Sequence, residues 1–215
     1  MLFRSGGLAG GAGGGWLGGR VWGEGSDGQK WAMLGGSLVG GACGAKGGSQ
    51  INNTVQAAGL IRATHTEAIS RIESMSAAKR GPVLTGIRDS ITGKIHFGEN
   101  FDLSKAQGRK AFQDFKKNAH PLVKERIINQ EKAIAEGITT PSPRAGTPGA
   151  HSEVVALDKA IKARELMTGQ KVTEADLSTF KLHNQSMMNA HPASRMNRCD
   201  NCAVITDGVT VIGHE

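Results

Sequence analysis

The sequence predicts an α/β domain of three layers, a mixed sheet with helices on both faces, preceded by a glycine-rich helical hairpin. Three observations predict it. Glycine recurs every four residues through much of the first 48 positions. From Val83 onward, short runs with the alternation of strands exchange with longer helix-permissive runs. A Pro/Gly-rich loop then ends at Gly149, directly before a run with helical apolar spacing that Gly169 closes.

The 215 residues suffice for one ordinary domain and an appendage. Lys and Arg number 26 against 19 Asp and Glu, a net charge of +7. Residues 79–215 hold 20 of the basic and 15 of the acidic side chains, so most of the excess lies in the later part of the chain. That balance is compatible with a nucleic-acid partner. Tyr is absent and all three Trp precede residue 32, so stacking on bases would fall to Phe97, Phe101, Phe112, Phe115 or Phe180. An odd number of cysteines, two of them spaced Cys-x-x-Cys, argues against a disulfide framework and for a metal or redox role. Cys43 is left over. The start has no compact apolar core or cleavage site of a secretory signal, so export would use another route.

Residues 6–48 hold 19 of the 31 glycines. Gly7, Gly11, Gly15 and Gly19 keep the four-residue period, as do Gly36, Gly40, Gly44 and Gly48. On a helix this makes a smooth face for close backbone contact. Two uncharged arms, Gly6–Gly19 and Trp31–Ala45, flank a polar turn with Trp16, Trp22 and Trp31 near it, a glycine-zipper hairpin over residues 1–50 with possible membrane contact through residues 6–48. The arms are shorter than the roughly 20 residues of a full membrane span, so insertion would be shallow or oligomeric. A flexible linker is the competing reading.

Residues 51–78 read as a connector helix, with Val55, Leu60, Ile61, Ala68, Ile69 and Ile72 on one stripe. Val83–Asp89 and Lys94–Asn100 form a strand hairpin around the turn Ser90–Gly93. Residues 102–136 are helix-permissive and basic, divided by Pro121, and their charges fit a solvated face better than a phosphate track. The loop Thr139–Gly149 is expected to hold no regular structure. A helix from Ser152 to Met167 buries Val154, Val155, Leu157, Ile161 and Leu166. Leu177–Leu182 reads as a third strand, a short helix follows Cys199, and Val209–Ile212 is a last strand. His120, His183 and His191 read as surface or packing residues.

Two motifs carry chemistry: His151-Ser152-Glu153, and Cys199-Asp200-Asn201-Cys202 beginning 48 residues after the histidine. Residues two apart diverge along a helix, so His151 and Glu153 converge only at a first turn, where the Pro/Gly loop puts them. Cys199 and Cys202, three apart, face one way on one turn. At a helix start the free N–H groups favour their thiolate forms. His, Cys and Cys around one Zn²⁺ leave a fourth position for water, the pattern of catalytic sites. Glu153 then serves as the base that takes the proton of a zinc-activated water and hands it to a leaving amine. That is hydrolytic deamination, and His-x-Glu followed by Cys-x-x-Cys is the known signature of zinc deaminases. Arg198 stands where that signature has proline. Either motif alone is weak, since Cys-x-x-Cys is as often redox or structural.

The runs Gly81–Asp89 and Gly93–Asn100, His120-Pro121, and the two motifs together resemble the YwqJ-type deaminase domain, within the cytidine deaminase-like superfamily, over residues 79–215. The resemblance implies a three-layer cytidine deaminase-like fold. It also implies zinc held by His151, Cys199 and Cys202, and Glu153 as proton shuttle. Asn100 matches a position where related deaminases touch the nucleotide, and His96, Phe97 and Ser152 are further candidates for substrate contact. Such domains commonly end bacterial polymorphic toxins, which implies a secreted effector delivered to the target-cell cytoplasm. Its expected partners are a nucleic-acid substrate, a cognate immunity protein and a larger effector scaffold or secretion machinery, and Met1 need not be the effector's natural start. Cytosine in DNA or RNA is the expected substrate. The alternatives are a non-catalytic zinc-stapled nucleic-acid-binding module and a membrane-active toxin whose effector is the glycine-rich hairpin.

Overall fold

A computed structural model describes residues 48–213. The glycine-zipper hairpin, its tryptophans and Cys43 therefore lie outside the described residues. The chain divides between Gln56 and Ala57, and apart from the first turns of its leading helix the structure that follows belongs to Ala57–Glu215. Among the described residues no helix is long and apolar enough to cross a membrane.

The elements are α1 (Gly48–Ser74), β1 (Val83–Asp89), β2 (Ile95–Glu99), α2 (Ala106–Asn118), α3 (Pro121–Ala135), α4 (Ser152–Thr168), β3 (Phe180–Ser186), α5 (Asp200–Ile205) and β4 (Thr210–Val211). The four strands form one mixed sheet in the order β2-β1-β3-β4. β1 is antiparallel to both neighbours, pairing Leu84 with Glu99 and Thr85 with Asn184, while β3 and β4 run parallel. This is the expected α/β architecture.

Strand alternation divides the sheet's two faces. On one, Leu84 and Met187 pack with Ala68 of α1, joined by Ile72 and Phe97. Gly86 leaves room for Thr64 and Leu60, since a Cβ there would meet Thr64 Oγ1 at 2.2 Å. The helix read as a connector thus also supplies a layer. On the other face, Ile87, Phe180 and Leu182 join Val154, Leu157, Ala160 and Ile161 of α4, with Val123 and Ile127 of α3 and Ile205 of α5 behind. α4 lies so close to β2 that a Cβ on Gly98 would meet Ser152 O at 2.2 Å and Ala156 N at 2.5 Å.

Three expectations are corrected. β3 begins at Phe180, not Leu177, and runs on to Ser186. Leu177 is buried in a preceding 3-10 turn, Glu174–Thr179. Every β3 residue is buried although most are polar, because the strand lies between two others. Leu166 is 88% exposed, because it points away from the stripe of Leu157 and Ile161. The loop Thr139–Gly149 contains one 3-10 turn, Pro143–Ala145. His183 is buried, its Nδ1 3.2 Å from Ile212 O, in keeping with a packing role.

Candidate metal centre and active site

α4 and α5 start beside one another, and each brings its motif there. His151 caps α4 in an extended conformation and Cys199 caps α5 likewise. His151 Nδ1 lies 3.2 Å from Cys199 Sγ and 3.4 Å from Cys202 Sγ. The three ligand atoms all lie within 4.8 Å of one another and could hold a metal ion. Zinc bonds of about 2.0 Å to nitrogen and 2.3 Å to sulfur at tetrahedral angles would set nitrogen and sulfur about 3.5 Å apart, so the spacing fits.

The loop before α4 is fixed from inside the Cys-x-x-Cys motif, a role the sequence reading missed. Asn201 is buried and donates through Nδ2 to Gly146 O at 2.9 Å and Ala145 O at 3.3 Å. Its Oδ1 accepts from Gln130 of α3 at 2.9 Å. Asp200 accepts from Ser142 N at 2.7 Å. Gly146 has φ +60°, a conformation few side chains tolerate, and a Cβ there would stand 2.8 Å from His151 Nε2. Arg198, in place of the signature's proline, donates to Thr206 Oγ1 at 2.9 Å and Thr206 O at 3.2 Å and so closes the end of α5.

The electrostatics follow from burial and crowding of acids. The Cys202 N–H donates to Cys199 Sγ at 3.4 Å. The Cys202 thiol's hydrogen bond, opposed by burial and aided by His151, brings Cys199 down to about 4. That same bond and burial push Cys202 up. His151 is raised chiefly by its bond to Cys199. Glu153, 4% exposed, is pushed up by burial first and by Cys199 beside it, against the pull of its own backbone N–H.

Ser152, a candidate substrate contact, is fully buried and turns inward: its hydroxyl is 2.7 Å from Thr85 Oγ1 and 3.2 Å from Glu153 Oε2. Asn184 Nδ2 donates to Glu153 Oε1 at 3.0 Å. Neither Thr85 nor Asn184 was marked by the sequence, and the only signal was a polar residue inside each strand.

A cavity of about 840 Å³ opens beside His151, walled also by Asn100, Phe101, Lys79, Arg80 and Lys105. Of the four candidate substrate contacts, Asn100 alone is on its wall, and Asn100 Oδ1 is buried with no hydrogen-bond partner. Phe97 packs toward α1, and His96, one residue earlier, shares the α4 face with Gly98. Of the five phenylalanines, Phe112 and Phe180 are core and only Phe101 reaches the cavity. Arg80 is engaged with carbonyls of Ile72, Met75 and Met187, and Lys105 with Asp102.

Compared with protein-family models, the chain matches that of the YwqJ-like deaminases over residues 71–211. Comparison with curated proteins and with solved structures gave no match.

Proposed function

Since the chain belongs to the YwqJ-like deaminase family, we propose that it is a zinc-dependent hydrolytic deaminase of a nucleobase, converting cytosine to uracil in DNA or RNA. The observation that carries this reading is a buried carboxyl, Glu153, two residues from a histidine whose Nδ1 meets two cysteine sulfurs at metal-ligand spacing. His151, Cys199 and Cys202 would hold the zinc. Bound there, the ion supplies a Lewis acid and a nucleophile from water near neutral pH. Glu153 takes the proton of the attacking water. Oxygen adds at the ring carbon bearing the amine, the carbon–nitrogen bond breaks, and Glu153 passes the proton to the departing ammonia. A carboxyl with a raised proton affinity suits both halves of that transfer. Asn100, a residue of the cavity wall whose side-chain oxygen is buried and unpartnered, is the position we assign to substrate contact.

Among the described residues three metal-binding side chains come together, which favours the catalytic pattern over a closed, purely structural staple. We extend the proposal to a bacterial toxin that acts in the target-cell cytoplasm and is neutralised by an immunity protein. The net charge of +7 supports a polymeric, anionic substrate. The glycine-rich residues 6–48 support a delivery segment with membrane contact.

The test is sequencing of DNA and RNA from cells expressing the full chain or its Glu153→Ala variant. The wild type should produce C-to-T or C-to-U changes, and the variant none while its purified form retains zinc. Conversion that persists in the variant overturns the role of Glu153, and A-to-G changes in the wild type move the substrate to adenine.

A further inference from the structure

We propose that Thr85 and Asn184 are positioning residues for Glu153, with the Thr85 hydroxyl deciding which end of the Asn184 amide faces the carboxyl. The proposal rests on the reading of Glu153 as proton carrier. Thr85 on β1 and Asn184 on β3 are direct register partners on the face toward α4, and both are fully buried. On that face Ile87, Leu182 and Phe180 are apolar, and the other buried polar groups are Asp89, paired with Arg164, and Ser186 at the strand's end. An apolar pair at this level would leave the buried Glu153 Oε1 without its amide donor, so the hydroxyl and the amide answer to the carboxyl and not to the packing of the sheet.

The hydrogens can be assigned by counting donors. The Thr85 hydroxyl has one hydrogen and two oxygens at 2.7 Å, Asn184 Oδ1 and Ser152 Oγ. Asn184 Oδ1 cannot donate, so that bond requires the hydrogen of Thr85. Ser152 then supplies the hydrogen of its own 2.7 Å contact with Thr85, and Glu153 Oε2 lies farther from it, at 3.2 Å. The direction is then fixed: Thr85 donates to Asn184 Oδ1, and Asn184 Nδ2 is left pointing at Glu153 Oε1 at 3.0 Å. When Glu153 is ionised, as it must be to accept a proton, a reversed amide would set Oδ1 against a carboxylate oxygen, two acceptors with no hydrogen between them. One carboxyl oxygen of Glu153 is thus held by an amide on a strand in the middle of the sheet.

The experiment uses the full chain with a single-stranded oligonucleotide bearing one cytosine as the activity probe, and side-chain amide NMR of ¹⁵N-asparagine-labelled protein as a readout independent of turnover. Thr85→Val should lower kcat about 10- to 100-fold, the scale of a misplaced catalytic group, with KM and zinc content unchanged. Thr85→Ser should restore kcat. The Asn184 amide proton bonded to Glu153 should lie downfield in the wild type and in Thr85→Ser, and lose that shift in Thr85→Val and Glu153→Ala. Should Thr85→Val fail to fold, the double replacement Thr85→Val with Asn184→Leu supplies an apolar pair: a folded protein with reduced kcat supports positioning, and one with wild-type kcat overturns it. An Asn184 amide unmoved by Thr85→Val also overturns it. A wild type that deaminates nothing yet keeps the Thr85-dependent amide shift overturns the proposed reaction while upholding the geometry assigned to the pair.

Discussion

Asp89, at the end of β1, and Glu153, at the start of α4, are both withdrawn from water, at 0% and 4% exposure. Helix α4 deals with the two acids in opposite ways. Near its far end Arg164 reaches Asp89 through Nε at 3.0 Å and through Nη2, and its guanidinium lies 3.8 Å over the Phe180 ring. Thr92 Oγ1 and the Ile91 N–H donate to Asp89 as well, at 2.7 and 2.8 Å. Burial pushes the Asp89 carboxyl up, but the hydrogen bonds of Arg164, Thr92 and Ile91 outweigh it, and the group ends below the ordinary carboxylate value. At the near end Glu153 has burial and an anionic sulfur, with a neutral donor from Asn184, and ends above it. A buried acid given a cation fastens the fold, and one left without a lysine or arginine partner is ready to carry a proton. Environments that push two carboxyls apart in this way separate structural from catalytic acids.

Exchanging the two treatments would break the comparison. The largest effect is expected at the near end: Glu153→Gln should lower kcat about 10²- to 10⁴-fold. In chelator at neutral pH the same change should leave the protein as stable as before or more so, because the amide fills the site without a buried charge. A clear loss of melting temperature in Glu153→Gln would place Glu153 with the structural acids. Next comes Arg164→Leu, which leaves Asp89 buried and unpaired and should destabilise by about 3–5 kcal/mol. Thermal denaturation should then shift down by about 10 °C, with kcat of the folded fraction unchanged. A shift of only a degree or two would mean that Thr92 and Ile91 suffice.

The two acids should also leave opposite marks on stability against pH. Asp89 has a lowered folded value, so its contribution is present above the unfolded value of about 3.9 and is lost as pH falls through the folded one. Asp89→Asn should erase that part of the acid limb. Glu153 has a raised folded value, so stability falls as pH rises from about 4.3 through the folded value, and Glu153→Gln should flatten that slope in urea titrations. The smallest effects separate two glycines of the same pair of ends. Gly98→Ala drives a methyl into Ser152 O and Ala156 N and should destabilise by about 1–3 kcal/mol, with kcat falling too. Gly169, the left-handed cap of α4 with φ +69° and open space around it, should lose only about 1 kcal/mol on change to alanine and keep its kcat. Equal losses at both would remove the distinction between the ends.

The grouping of His151, Cys199 and Cys202, with Glu153 beside them, was legible in the sequence because their spacing with helix starts is restrictive. The β1–β2 hairpin, the break at Pro121 and the body of α4 were legible through alternation, proline and Gly169. β3 was misplaced because apolar content pointed to Leu177, whereas Lys181, His183, Asn184, Gln185 and Ser186 are held by partners that no local pattern reveals. Leu166 shows the reverse error, an apolar residue on the solvent side of its helix. Asn201 and Asp200 sat inside a recognised motif and were passed over as spacers. Asn100, marked by resemblance, lies on the cavity wall, while His96 and Phe97, its neighbours along the chain, do not line it.

The central place of β1 in the sheet bears on when the protein becomes competent. β1 meets β2 across one short turn, but the Thr85–Asn184 bond spans 99 positions and the Asn184–Glu153 bond 31. Contacts so distant in sequence form late, after loop closure has been met by other gains. A chain that has already built its hairpin and α4 still has a Glu153 with no amide to hold it. The carboxyl's geometry is therefore expected among the later events of folding, and a local opening of the β1–β3 ladder should withdraw it.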